Sequence, residues 1–205
     1  MSSAESGPRA VDRADVEGWF TELGLAPSER AEREGVASWD LVLDGRRRFG
    51  LRITVILDPA LAIICWAHYA PPINDMFRRS YRKLLRWNDE FPFAKFSVGE
   101  DGRPLLAVEL PIALAGADEL GLAIARILAI ADQLLEESKE WLWIGGRIPD
   151  HGDRQPANAV FLDRYAGRLA DLGGLTEPGP AGSLPAAPAP AALNAAASSA
   201  GPSEA

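Results

Sequence analysis

Three consecutive segments between residues 39 and 69 constrain the fold more than any other feature of the sequence. In residues 39–44 and 49–57, apolar side chains recur at alternate positions, which is the period of a β-strand with one dry face. Residues 60–69 are apolar on both faces, so we expect a more central strand there. Gly45 and Pro59 fall between the segments, where each suits a turn. The pattern predicts a three-stranded antiparallel meander.

Apolar residues at helical spacing predict helices on both sides of this meander. A first helix covers residues 15–24, and a second begins after a cap at Asn74 or Asp75. The third and longest helix covers residues 118–141. Its apolar stripe is wider than contact with one face of a sheet requires.

Two further strands complete the predicted sheet. Residues 94–98 and 106–112 alternate in polarity and meet across a hairpin turn at Gly102. Phe91 and Phe93, just before the first of these strands, are expected to anchor the crossing to the core. Charged residues 26–35 are interpreted as a loop. The predicted order is therefore α-β-β-β-α-β-β-α, which indicates an α+β fold with an antiparallel sheet of about five strands.

The chain is expected to divide into four parts. Residues 1–12 form a flexible leader, and residues 13–141 form the α+β domain. Residues 142–172 add a loop and a short helix, because Phe161, Tyr165 and Leu169 recur at helical spacing. Residues 173–205 are rich in alanine and proline and contain no lysine or arginine, so they predict a disordered tail.

Composition restricts the partners and the compartment. The net charge of −8 argues against binding to nucleic acid, which needs a concentrated basic surface. No apolar run reaches the roughly 18–20 residues that span a bilayer, so no membrane partner is expected. Cys65 is the single cysteine, which fits a reducing compartment and predicts a cytoplasmic protein.

No residue pattern indicates a catalytic, metal or cofactor site. Asp89 and Glu90 are adjacent near a predicted helix end, where their carboxylates diverge, so they are interpreted as part of a helix stop together with Asn88. Cys65 and His68 are three positions apart on a strand and therefore face opposite sides. His151 lies between Asp150 and Asp153 in a loop, which is a weak metal signal.

Two sets of residues indicate a surface for a protein partner. The second helix carries a basic face, and the third helix carries Leu122 and Ile130 outside its main apolar stripe. The surplus apolar surface could meet a second copy of the chain, a client protein, or the segment after Trp141. We expect a homodimer. The candidate partner-surface residues are Arg78, Arg79, Arg82, Lys83, Arg86, Leu122 and Ile130.

The segment LLRWNDEFPFAKF, residues 84–96, carries a resemblance to a known family. Together with Asp-Gly-Arg at 101–103 and Val-Glu-Leu-Pro at 108–111, it resembles the YbjN-like proteins, described as bacterial sensory transduction regulators. The resemblance implies the fold of type III secretion chaperones: a twisted antiparallel sheet with packed helices, often dimeric. Secretion chaperones of this fold bind unfolded segments of client proteins without ATP.

Three functional hypotheses remain at this point. The first is a non-enzymatic binding protein, chaperone-like or an adaptor, that acts through sheet edges and exposed apolar patches. The second is a regulatory protein that senses a small ligand in a pocket between helix and sheet. The third, ranked last, is an enzyme.

Overall fold

A computed structural model describes residues 11–72, 78–143 and 146–170 of the 205-residue chain. It is an α+β structure with a single antiparallel sheet. The strands are β1 (Glu29–Arg33), β2 (Val36–Leu43), β3 (Leu51–Asp58), β4 (Ala62–His68), β5 (Lys95–Val98) and β6 (Pro104–Pro111). The helices are α1 (Arg13–Glu22), α2 (Arg78–Glu90), α3 (Ala117–Gln133), α4 (Leu135–Leu142) and α5 (Ala159–Leu169), with a 3₁₀ turn at Ile112–Leu114.

The sheet has the strand order β1-β2-β3-β4-β6-β5, and every neighbouring pair is antiparallel. The predicted meander is therefore confirmed as β2, β3 and β4. One register row runs through Trp39, Val55, Cys65 and Val108, all nearly inaccessible to solvent. This row belongs to the face that packs against α3, which lies across β6 and β4.

Strand β1 was predicted to be loop. Its sequence, ERAER, has no apolar alternation, and all five residues are exposed. It nevertheless pairs along its whole length with β2, from Glu29 opposite Asp40 to Arg33 opposite Val36. Charged side chains are typical of an edge strand, because they discourage pairing with another chain. The sheet consequently has six strands instead of about five.

The long third helix is interrupted at Leu134. Helix α3 ends at Gln133 and α4 begins at Leu135, so the predicted helix over residues 118–141 is two helices. The Ser138 hydroxyl donates to the Leu134 carbonyl oxygen at 2.7 Å and lies 2.7 Å from the Tyr69 hydroxyl. These contacts fix the start of α4 against the end of β4.

Part of the width of the apolar stripe on α3 is explained within one chain, because α1 and α5 both pack against this helix. Tyr165 of α5 is buried against Gly121, where a Cβ atom would overlap the tyrosine hydroxyl. The short helix predicted after residue 142 is thus confirmed as α5. The added segment therefore covers one flank of α3, whereas Leu122 is left in a surface groove.

Several expectations fall outside the described residues. These are most of the leader (1–10), the cap of the second helix at Asn74 or Asp75, and the tail 173–205.

The first helix is capped one turn earlier than expected. Asp12 accepts a hydrogen bond from the Asp15 amide at 3.0 Å, and the Asp15 carboxylate accepts one from the Asp12 amide at 2.9 Å.

Candidate binding sites

The basic face of α2 is largely neutralised by neighbouring groups. Arg86 pairs with Glu90 at 2.6 Å, and Lys83 donates to the Glu137 carbonyl oxygen at 3.1 Å while lying over the ring of Trp141. Arg82 is exposed. The side chains of Arg78 and Arg79 lie outside the part of the chain that is described. Among the described members, this face has the character of a solvated helix surface.

Leu122 and Ile130 occupy different environments. Ile130 is fully buried within the single chain, so the prediction that it belongs to a partner surface is wrong. Ile130 lies at the margin of the apolar stripe of α3, where helix periodicity alone could not distinguish core from surface. Leu122 is half-buried and lines a surface groove, described below.

The residues weighed for catalysis or metal binding are not brought together. Cys65 is fully buried, and burial raises the pKa of its thiol to about 12. His68 lies on the opposite face of the same strand, as predicted. His151 packs against the ring of Phe49 at 4.5 Å. Within residues 11–72, 78–143 and 146–170, no group of three or more histidine, cysteine or acidic side chains is arranged to hold a metal ion.

Asn88 has a structural role, although its contacts differ from those expected. Its side-chain amide donates to the Phe96 carbonyl oxygen at 3.1 Å and accepts from the Phe96 amide at 2.5 Å. It therefore completes the hydrogen bonding of β5 on the side away from β6, instead of capping helix carbonyls. Asn88 closes one edge of the sheet with a side chain.

The edge of β6 that faces β5 is unpaired beyond the point where β5 ends. Pairing between the two strands begins at Lys95 opposite Ala107, and no described strand pairs with residues 108–111 on that side. Backbone groups alternate in direction along a strand. The Ile112 amide donates to Leu61 and the Pro104 carbonyl accepts from Tyr69, so the even-numbered residues of β6 point towards β4. The backbone amide and carbonyl of Glu109 therefore face the open side.

An apolar groove of about 370 Å³ lies beside this open edge. Its walls come from β6, from the 3₁₀ turn that follows it, and from the outer side of α3. Phe93 and Leu114 stand at the rim and are 80% and 66% exposed. The Arg126 guanidinium lies 5.4 Å from the centre of the Phe93 ring. The remaining apolar walls are Val108, Leu110, Pro111, Leu122 and Ala123.

The position of Phe93 explains why the edge is open. Continuing the register of β5 would place Phe93 opposite Glu109, but Phe93 has φ +63°, which a strand does not accommodate. The sequence predicted that Phe91 and Phe93 both anchor to the core. Phe91 does so and is 1% exposed, whereas the prediction for Phe93 is wrong. The residue before it, Pro92, was the available signal that the strand is interrupted.

A second polar feature is the loop between β2 and β3, residues 44–50. The Asp132 carboxylate of α3 accepts hydrogen bonds from the backbone amides of Arg46, Arg47 and Arg48 at 2.6, 2.9 and 2.7 Å. Gly45 is required beside it, because a Cβ atom there would overlap the carboxylate. The loop is thus fixed by a residue more than 80 positions away in the sequence.

The first residue of this loop, Asp44, is anchored to the segment before α5. Its buried carboxylate accepts from the amides of Gly50 and Ala157, at 2.8 and 3.1 Å, and from the Arg154 guanidinium at 3.2 Å. Burial raises the pKa of Asp44, but these donors outweigh it and hold the pKa below its usual value. Asn158 bonds both backbone groups of Asp44.

Comparison with known proteins identifies the family. A family model described as "Putative bacterial sensory transduction regulator", YbjN, matches residues 12–140, which is more than half of the chain. The chain belongs to the YbjN family. No curated protein matches it. The family match ends within α4, so the Asp44 anchors at residues 154–158 and helix α5 lie beyond it.

One negative observation concerns membranes. Among the helices of the described residues, none is both long enough and apolar enough to cross a lipid bilayer.

Proposed function

We propose that this YbjN-family protein is a non-enzymatic regulatory protein that binds an extended segment of a partner protein in the groove beside β6. The observation that carries the proposal is Phe93, a large aromatic side chain that is 80% exposed at the rim of an apolar groove. Exposed apolar surface beside a concave site is typical of protein-binding sites. The family description, a sensory transduction regulator, supports the same class of function.

An extended segment fits this site better than a helix does, because of the open edge. The backbone amide and carbonyl of Glu109 point away from β4 and are available to an added strand. A strand laid there would direct every second side chain towards Val108, Leu110 and Leu122 in the groove. The expected partner segment is therefore extended, with apolar side chains at alternate positions.

A second copy of the chain is a poorer occupant of this edge. Two β6 strands paired about a two-fold axis at Glu109 would bring two identical carboxylates together, and like charges directly opposite destabilise a strand pair. The homodimer remains a prediction, and it would use a different surface. The proposal also retains the cytoplasm as the location, on the basis of the single cysteine.

Selection from a random peptide library displayed on phage tests the proposal, followed by Kd measurements with the selected peptides. Phe93→Ser should weaken binding by about tenfold or more, since buried aromatic anchors dominate such interfaces. Val160→Ser is the matched control, because Val160 is 86% exposed on α5, which contributes no residue to the groove. Its peptide affinity should not change.

A proline substitution separates backbone pairing from side-chain contact. Glu109→Pro removes the backbone amide that faces the open edge and leaves the hydrogen bonds between β6 and β4 intact. The natural Pro111, two residues later, shows that this strand accepts proline at an equivalent position. Glu109→Pro should weaken binding of the selected peptides, whereas Glu109→Gln should leave their affinity unchanged. If the peptides bind Phe93→Ser as well as they bind the wild-type protein, the groove is not the binding site and the proposal fails.

A further inference from the structure

A second hollow, separate from the apolar groove, lies where the β2–β3 loop meets the end of β4, the β5–β6 hairpin and the end of α4. Its volume is about 430 Å³, within the range of small-molecule sites. Arg48, Arg52, Arg103 and His68 line it, together with the aromatic rings of Phe49 and Trp143. None of the described residues that line it is acidic. This is a cationic pocket in a chain whose net charge is −8.

Arg48 is the most constrained of these cations. Its backbone is held by Asp132, and its guanidinium lies 4.7 Å from the centre of the Tyr69 ring. One terminal nitrogen donates to the Tyr69 carbonyl oxygen. The other, Nη1, is buried and has no hydrogen-bond partner in the described structure. A buried guanidinium with an unused donor is costly unless a ligand or another group supplies an acceptor.

His68, which also lines the pocket, carries a second unsatisfied group. Its Nδ1 is buried and has no hydrogen-bond partner among the described residues. Its ring lies edge-on against Trp66, with the ring centres 4.8 Å apart. Two nitrogen groups without partners therefore belong to side chains that line one cavity. Both atoms are closed to water and therefore to a ligand oxygen, so the donors that a ligand can meet directly are those of the outer arginines, Arg52 and Arg103.

The two outer arginines are accessible, and Arg103 is the less committed of them to acidic neighbours. Arg103 pairs with Asp101, two residues away in the same hairpin, at 3.2 Å, and its side chain is about half exposed. Arg52 pairs with Glu29 and Asp40 at 2.8 and 2.9 Å. Exposed ion pairs of this kind contribute little to stability, so a ligand can compete for the guanidinium of Arg103.

We propose that this pocket binds a small organic oxyanion, a carboxylate or a phosphate monoester, that carries an aromatic or apolar body. The anionic oxygens accept hydrogen bonds from the accessible arginines, above all Arg103, whose planar donors match carboxylate and phosphate geometry. The body of the ligand lies against Phe49 and Trp143. Binding here is independent of the groove beside β6, and it gives the protein a means of responding to a metabolite.

Titration of the full chain by heteronuclear NMR tests the pocket with four probes. These are phenyl phosphate, benzoate, inorganic phosphate and phenol. At least one of the two aromatic anions should bind, with shifts centred on residues 48–52, 68 and 103. Inorganic phosphate and phenol should each bind at least about tenfold more weakly, because inorganic phosphate lacks the aromatic body and phenol lacks the anionic group. The ratio of phenyl phosphate to benzoate affinity distinguishes the two anion classes.

Matched arginine variants show whether the pocket is responsible. Arg103→Gln should lower the affinity for the tighter-binding aromatic anion by roughly fivefold or more. Arg103 is preferred to Arg48, since replacing the buried Arg48 could unfold the loop. Arg86→Gln is the control, because Arg86 is 79% exposed on α2 outside the pocket. No binding by either aromatic anion below about 10 mM, equal binding by phenol, or equal weakening by both variants would each overturn the inference.

Discussion

The apolar groove beside β6 and the cationic pocket beside the β2–β3 loop differ in what holds their walls in place. The rim of the groove is formed by Phe93 and Leu114, which are mostly exposed. The walls of the pocket include a loop whose amides are bound by Asp132 and whose first residue, Asp44, is 5% exposed. One site has a loosely held rim, and the other has a rigid polar frame.

The difference follows from what each site has to recognise. Apolar contact is non-directional, so a groove for an extended segment tolerates side chains that move. Several arginines close together repel one another and must be fixed in position by other groups. Substitutions in the frame of the pocket should therefore cost stability, whereas substitutions at the rim of the groove should cost binding and little stability. Four predictions test this contrast, beginning with the largest effect.

Asp132→Ala should have the largest effect on stability. It removes the acceptor for three backbone amides of the β2–β3 loop, and bonds to charged groups contribute about 1.5–3 kcal/mol each. Some of this loss is regained through hydration, so we expect a decrease of about 3 kcal/mol in the free energy of unfolding, measured by urea denaturation. The control is Asp163→Ala, which removes only the exposed pair with Arg46. A similar loss in both variants would contradict the polar-frame interpretation.

Asp44→Asn should lower the free energy of unfolding by about 2 kcal/mol at neutral pH, because three hydrogen-bond donors lose their charged acceptor. The effect should depend on pH. The folded-state pKa of Asp44 is lowered, so its stabilisation is complete above the unfolded pKa of about 4 and disappears as the pH falls through the folded value. The difference in stability between wild type and Asp44→Asn should therefore shrink on acidification, in denaturation curves recorded from about pH 7 to pH 3. A constant difference would show that the charge is not responsible.

Asn88→Ala should reduce the free energy of unfolding by about 1 kcal/mol or more, because both backbone groups of Phe96 lose their partner. Asp89→Ala, next to it in sequence and exposed, should cost less. Thermal unfolding of the two variants under the same conditions measures the difference. If Asp89→Ala were the more damaging change, the closure of the β5 edge by Asn88 would be the wrong explanation.

Phe93→Ser should change stability least, by no more than about 0.5 kcal/mol, since the side chain is 80% exposed. The same substitution is expected to weaken peptide binding strongly, so stability and affinity should separate at this position. A large loss of stability measured by urea denaturation would mean that Phe93 is a structural residue, and the contrast between the two sites would fail.

Much of the fold was accessible from the sequence because its strands alternate strictly. The row through Trp39, Val55 and Cys65 follows directly from period two, and antiparallel neighbours then follow from the short turns. Strand β1 could not be found this way, because ERAER pairs through its backbone and buries no side chain. The break at Leu134 was also hidden, since the apolar stripe continues through it.

The two sites were much less accessible, because each depends on long-range contacts. The sequence predicted that Phe93 anchors to the core with Phe91, whereas its positive φ interrupts the strand and leaves its side chain exposed. Arg48 comes just after the turn predicted at Gly45, and a charged residue there gives no signal of burial. Its burial depends on Asp132, 84 residues later, and on Tyr69. Sequence spacing contains no signal for either contact.

Gly121 has a consequence for how relatives of this protein should be read. Tyr165 of α5 occupies the space that any larger side chain at position 121 would need. A homologue with alanine or a bulkier residue there could not carry the same helix at the same depth, even if its sequence continued past residue 140. Gly121 lies inside the region that matches the family, whereas α5 lies beyond it. The residue aligned with Gly121 therefore indicates which family members can carry this extra helix.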